Sequence, residues 1–153
     1  MEKTKKNNKG FSLVELIVVV LIMAIIAVSL APQVMKWVDR SRQANDASNY
    51  EALVSAAQLS ILAVKSAEDA VITMDKDGTS DDSSASTEFV AAMNSNLPGW
   101  TSLKVTSTTN AAATYKITIS NSQVIRGSLD GSGNIEKNAD GTLKNVPGEI
   151  AAN

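Results

Sequence analysis

The chain has no cysteine and no histidine. Disulfide frameworks, the usual zinc clusters, cysteine nucleophiles and imidazole acid–base catalysis are thereby excluded. Aromatic residues are also few: Phe11, Trp37, Tyr50, Phe89, Trp100 and Tyr115. Much of the apolar content is instead small or β-branched and gathers near the N-terminus. No nucleophile and base arrangement stands out in what remains, so the sequence does not read as an enzyme and implies no cofactor. With 153 residues there is enough chain for one modest domain with a real core, and not for two.

Charge is divided unevenly. Lys3, Lys5, Lys6 and Lys9 against Glu2 give residues 1–10 a net charge of +3, which leaves −5 on the other 143 residues of a chain at −2 overall. A short basic segment ahead of an apolar run keeps its own side of a membrane cytoplasmic and predicts that the chain beyond the run is exported. The acidic exported part makes direct nucleic-acid binding a poor expectation.

The apolar run is Phe11 to Ala31, 21 residues interrupted by one acid, Glu15. As a helix it rises about 31 Å, close to the hydrocarbon thickness of a bilayer. A cleavable signal peptide or a simple anchor has the same outline. Against cleavage after the run, Pro32 is followed by Gln33, Val34 and Met35 rather than by an A-x-A-like site.

From Gln33 to Lys65 there is no glycine or proline, and Ala47, Tyr50, Val54, Ala57, Ile61 and Val64 recur at steps of 3 and 4. This is the stripe of an amphipathic helix, with Arg40, Arg42, Asn45, Asn49, Glu51 and Gln58 on its other side. Pro32 removes one backbone hydrogen bond without having to end the helix. Asp75 to Ser86 is acidic and Ser-rich and reads as an exposed loop. Its Asp75, Asp77, Asp81 and Asp82 lack the order of an EF-hand loop, and Asp130, Asn134 and Glu136 are no stronger, so no metal site is expected. Residues 87–94 read as a short helix capped by Ser86, with Phe89, Met93 and Leu97 four apart and a stop at Leu97-Pro98-Gly99.

After that the period becomes two. Leu103 and Val105, then Tyr115, Ile117 and Ile119, then Val124 and Ile125 predict strands, with turns at Ser120–Gln123 and Ala139–Thr142. A small antiparallel sheet over about 101–145 needs a cover for its apolar face, and the amphipathic helix half is the available one. The expected fold class is α+β. Val54, Ile61, Phe89, Ile117 and Ile119 are the core candidates.

Lys9-Gly10-Phe11-Ser12-Leu13-Val14-Glu15-Leu16, the uninterrupted apolar run and Pro32 resemble the class III signal of type IV pilins and their pseudopilin relatives. The resemblance is motif-specific over Lys9–Pro32 and architectural to about Lys65. It implies a leader of residues 1–10, cut by prepilin peptidase between Gly10 and Phe11, N-methylation of Phe11, and a retained helix of residues 11–32. Residues 33–153 become the exported domain. It further implies assembly through Phe11, Glu15 and Pro32, with Glu15 pairing the new amine of Phe11. The chain lacks the cysteine pair of many Gram-negative pilins and has Ala24 where a glycine is often found.

The function so implied is a structural subunit of a type IV pilus, a homo-oligomeric filament built by the pilus assembly machinery from subunits that wait in membrane lipid. The subunit is expected in the cytoplasmic membrane as a single pass with its N-terminus in the cytoplasm, and in the extracellular pilus after assembly. A pseudopilin of a type II secretion or DNA-uptake system shares the motif, and a membrane-anchored binding domain is the reading from another class.

Overall fold

The structure, a computed structural model, describes residues 10–64, 69–81, 84–109, 112–128, 134–139 and 141–147. Residues 1–9 of the expected leader, Lys65, Asp82 and Asp130 lie outside the described residues. The chain divides into two compact units, Met1–Val38 and Asp39–Asn153.

One helix, α1, runs from Leu13 to Ala63 through Pro32. Its first part is rich in Val and Ile, which are mediocre helix formers in water because their branched side chains stiffen χ1. In hydrocarbon the backbone must satisfy its own hydrogen bonds, and the helix is then the one open-ended solution. All described residues of the first unit, 10–38, are exposed. A helix that is apolar on every side needs lipid or other apolar helices around it.

Burial begins at Asp39. In the second unit Tyr50, Leu53, Val54, Ala56 and Ala57 of α1 join Ile72, Met74, Phe89, Met93, Trp100, Tyr115, Ile117 and Ile119 in one core. The sheet has four antiparallel strands in the order β2-β1-β3-β4: β1 Ala70–Met74, β2 Thr79–Asp81, β3 Tyr115–Ser120 and β4 Gln123–Arg126. β1 alternates in burial, with Ala70, Ile72 and Met74 turned into the core, and it pairs Ile72 with Ile117 of β3. A long helix packed on a small antiparallel sheet is the α+β fold the sequence implies. Of the core candidates, Val54, Phe89, Ile117 and Ile119 are buried, and Ile61 packs against them half-buried.

α2 covers Thr87–Asn96, starting where expected and running two residues longer. Ser86 caps it, its hydroxyl accepting the Phe89 N–H at 3.1 Å. Asn121 and Ser122 link β3 to β4 as a two-residue loop with φ of 49° and 60°, the left-handed pair that matches strand twist.

Three features differ from the sequence reading. The sheet lies further upstream, because β1 and β2 come from residues 70–81 and part of the acidic stretch is a hairpin. The Asp75 Oδ1 accepts the N–H groups of Asp77 and Gly78 at 2.8 and 3.2 Å, and the Asp75 N–H donates to Gly78 O. That turn sends the chain back as β2. Secondly, Leu103 and Val105 are not in a strand. A 3₁₀ turn at Trp100–Ser102 precedes an irregular segment in which the Leu103 N–H donates to Trp100 O, the Val105 N–H to Asp75 O, and the N–H groups of Thr106, Ser107 and Thr108 to helix carboxylates. Thirdly, Lys137 and Leu143 form an isolated bridge, with Gly141 between them at φ 87°, and among the described residues the expected turn at 139–142 adds no strand to the sheet.

Candidate functional site

The N-terminal end of α1 is built locally. Residues 10–12 are non-helical, and the helix opens at Leu13. The backbone N–H of Ser12 donates to Glu15 Oε2 at 2.9 Å, and Leu16 N–H donates to Ser12 O at 3.2 Å. The first bond is half of a capping box, with Glu15 at the third helical position reaching back to the cap residue. A carboxylate in the first turn also meets the positive end of the helix dipole. The Ser12-x-x-Glu15 spacing shows this in the sequence, where the hydrophobic context draws attention to the charge of Glu15 rather than to its spacing.

Gly10 and Phe11 precede that cap, and Phe11 is 88% exposed. A Cβ placed on Gly10 would meet no atom of the described residues within 4 Å, and its φ lies outside the left-handed region. The fold around it therefore makes no demand for glycine. Close approach of another molecule to the backbone is a reason that remains.

Downstream, Ser29 satisfies its hydroxyl within the helix by donating to Ile25 O at 2.9 Å. Pro32 is inside α1, and the helix continues past it. By length and composition α1 is able to cross a membrane.

The second unit holds a different polar cluster, which the sequence reading missed. Asp46 is fully buried and Asp39 nearly so. Asp46 Oδ1 accepts the N–H and hydroxyl of Thr106 at 2.9 and 2.7 Å, and Oδ2 accepts the N–H of Ser107 at 2.9 Å. Asp39 takes the N–H and hydroxyl of Thr108, both at 2.6 Å, the hydroxyl of Thr109 and the side-chain amide of Gln43. Hydrogen bonds from Thr108 and Thr109 hold the Asp39 carboxyl far below the usual carboxylate range, against an opposing push from burial. The seven-residue spacing of the two acids, two turns apart on one helix face, was the available signal. Only the run Thr106-Ser107-Thr108-Thr109, some 60 residues away, makes sense of it.

Tyr50 ties helix to sheet. Its hydroxyl donates to Lys116 O at 2.8 Å and accepts the Gly127 N–H at 3.1 Å, and its ring meets Tyr115 edge-on with centroids 6.2 Å apart. Arg126 stacks over the Tyr50 ring at 5.8 Å and pairs with Glu51. Among the described residues no group of three or more His, Cys, Asp or Glu side chains could hold a metal. Asp77 pairs with Lys76, and Glu136 accepts from Ser128 and pairs with Lys144, which together hold the Glu136 carboxyl below its ordinary value.

Comparison with known proteins matches residues 5–31 to the prokaryotic N-terminal methylation motif. No curated protein and no solved structure matches the chain. The chain thus carries the class III signal peptide motif of type IV pilins and pseudopilins, within which α1 begins, and the later part of that helix packs on a small antiparallel sheet.

Proposed function

We propose that the protein is a structural subunit of a type IV pilus. One observation carries this reading: the methylation motif of residues 5–31 takes in the start of a helix whose residues 13–38 are all exposed and mostly apolar. Such a surface needs lipid before assembly and like helices after it. Head-to-tail packing whose rotation does not close then gives an open filament rather than a ring.

In this reading prepilin peptidase removes residues 1–10 by cutting after Gly10, and Phe11 is N-methylated. The helix of residues 11–32 then passes from the membrane to the filament interior, Pro32 within it, while residues 33–153 form the outer domain. The freed amine of Phe11 and the carboxylate of Glu15 are opposite charges in an apolar surrounding, where an unpaired charge is strongly unfavourable. An incoming subunit is held at the register in which they meet.

Electron microscopy of cells lacking the protein tests the proposal. Loss of abundant surface filaments is the expected result. Intact filaments together with failure of secretion or of DNA uptake would instead assign the chain to a pseudopilin filament.

A further inference from the structure

We propose that Lys36 and Trp37 form a lipid-headgroup anchor that ends the membrane span and seats Leu16–Met35 in the hydrocarbon. The inference rests on the membrane-inserted stage of the function proposed above and adds a partner for a pair of residues that this function leaves unused. Leu16–Met35 is 20 residues with only Ser29 and Gln33 as polar side chains. As a helix it rises about 30 Å, the thickness of a bilayer's hydrocarbon core. Ser29 is satisfied by Ile25 O, and Gln33 lies within one turn of Lys36.

The two ends of this stretch are both polar. Glu15 and the open backbone of residues 10–12 lie at one, and Lys36 and Trp37 at the other. Trp37 is 65% exposed, although a large aromatic ring on a helix would bury more of itself if it had a partner in its own fold. Lys36 is exposed and makes no ion pair among the described residues. An indole beside an ammonium suits the headgroup layer: the ring lies against acyl ends, and both N–H groups donate to phosphate or glycerol-ester oxygens. The charge is complementary, since phosphate is the anion of every phospholipid headgroup. Val34 and Met35, 49% and 74% exposed, then fall inside the hydrocarbon, so the span continues one turn beyond Pro32.

The absence of native cysteine makes the test direct. Single cysteines are placed in the full chain at Leu16, Ile26, Val34, Met35 and Val38, and each variant is reconstituted in vesicles of phosphatidylethanolamine and phosphatidylglycerol. N-ethylmaleimide reports water contact, because the reactive form is the thiolate. Loss of alkylation is expected at positions 16, 26, 34 and 35, with alkylation retained at 38. In the Lys36→Ala/Trp37→Ala background the helix is free to sink, and alkylation at 38 should be lost as well. Alkylation at 34 and 35 with protection at 26 would place the end of the span at Pro32 and overturn the inference while leaving the membrane reading intact. Alkylation at 26 would sink the membrane reading itself. A double variant whose pattern in vesicles is unchanged, but which fails to build filaments in cells, would overturn lipid as the partner and give the pair to a second copy of the chain.

Discussion

Glu15 Oε2 accepts the backbone N–H of Ser12 at 2.9 Å, so the one acid of the apolar segment has a partner inside its own chain. This bond gives Glu15 two separable duties, closing the start of the helix and presenting a charge. Glutamine keeps an oxygen that can accept the Ser12 N–H and loses the charge, whereas alanine loses both. If charge pairing with Phe11 drives assembly, Glu15→Gln and Glu15→Ala should both be cleaved after Gly10 and both fail to form filaments. Immunoblots of the processed subunit and of sheared filaments measure the two steps separately. Wild-type filament levels from Glu15→Gln would show that the cap, and not the charge, is what assembly needs.

Processing has its own test. The intact mass of the mature protein should lack residues 1–10 and carry one added methyl group at Phe11. Cleavage after Ala31, or none, would remove the pilin reading.

A fragment beginning near Gln33 is expected to be soluble and folded, because among the described residues the buried groups of the second unit begin at Asp39 and its apolar core at Tyr50. Within it, Ile117→Ala should cost about 2 to 5 kcal/mol in urea unfolding, since Ile117 is 1% exposed between helix and sheet.

Tyr50→Phe keeps the ring packing and removes the oxygen that accepts the Gly127 N–H and donates to Lys116 O. The Gly127 N–H keeps its bond to Lys116 O at 2.9 Å, so no donor is orphaned and the loss is that of the hydroxyl's own bonds, about 0.5 to 1.5 kcal/mol each. Gly127→Ala is a harsher change at the same place, because φ is 89° and a Cβ would sit 2.6 Å from the backbone oxygen of Lys144. Strain of this kind costs about 1 to 3 kcal/mol before any shift of the 144–146 segment is counted. Urea midpoints of the two variants against the parent decide whether this junction holds helix and sheet together.

Acid should loosen the domain through Asp39. Its carboxyl is held below the ordinary value of 3.8, so the charged form is favoured by folding and its contribution is complete above that value. The contribution is lost as pH falls through 3.8 toward the depressed folded-state value. Unfolding midpoints should therefore decline between about pH 5 and pH 2, and less steeply in Asp39→Asn than in the parent. Equal slopes in the two proteins would mean that the bonds from Thr108 and Thr109 contribute nothing to the acid response.

Local signals carried the N-terminal half of the fold. The Gly10-Phe11 junction, the acid at 15, the apolar run and the 3–4 spacing from Ala47 to Val64 are contiguous patterns, and each reports on a helix that needs only its own residues to form hydrogen bonds. The same holds for Ser86 before α2 and for the Asn121-Ser122 turn, where a cap and a two-residue loop are decided within four residues. Tertiary structure alone decided the rest. β1 is five residues long and became a strand because Ile72 pairs with Ile117, 45 positions away. Val105 looks like a strand residue, yet the chain after it docks on Asp46 and Asp39 because two buried carboxylates need donors and Thr106 to Thr109 have them to give. Burial of an acid reverses what its polarity predicts, and it is tolerable only when distant parts of the chain arrive together.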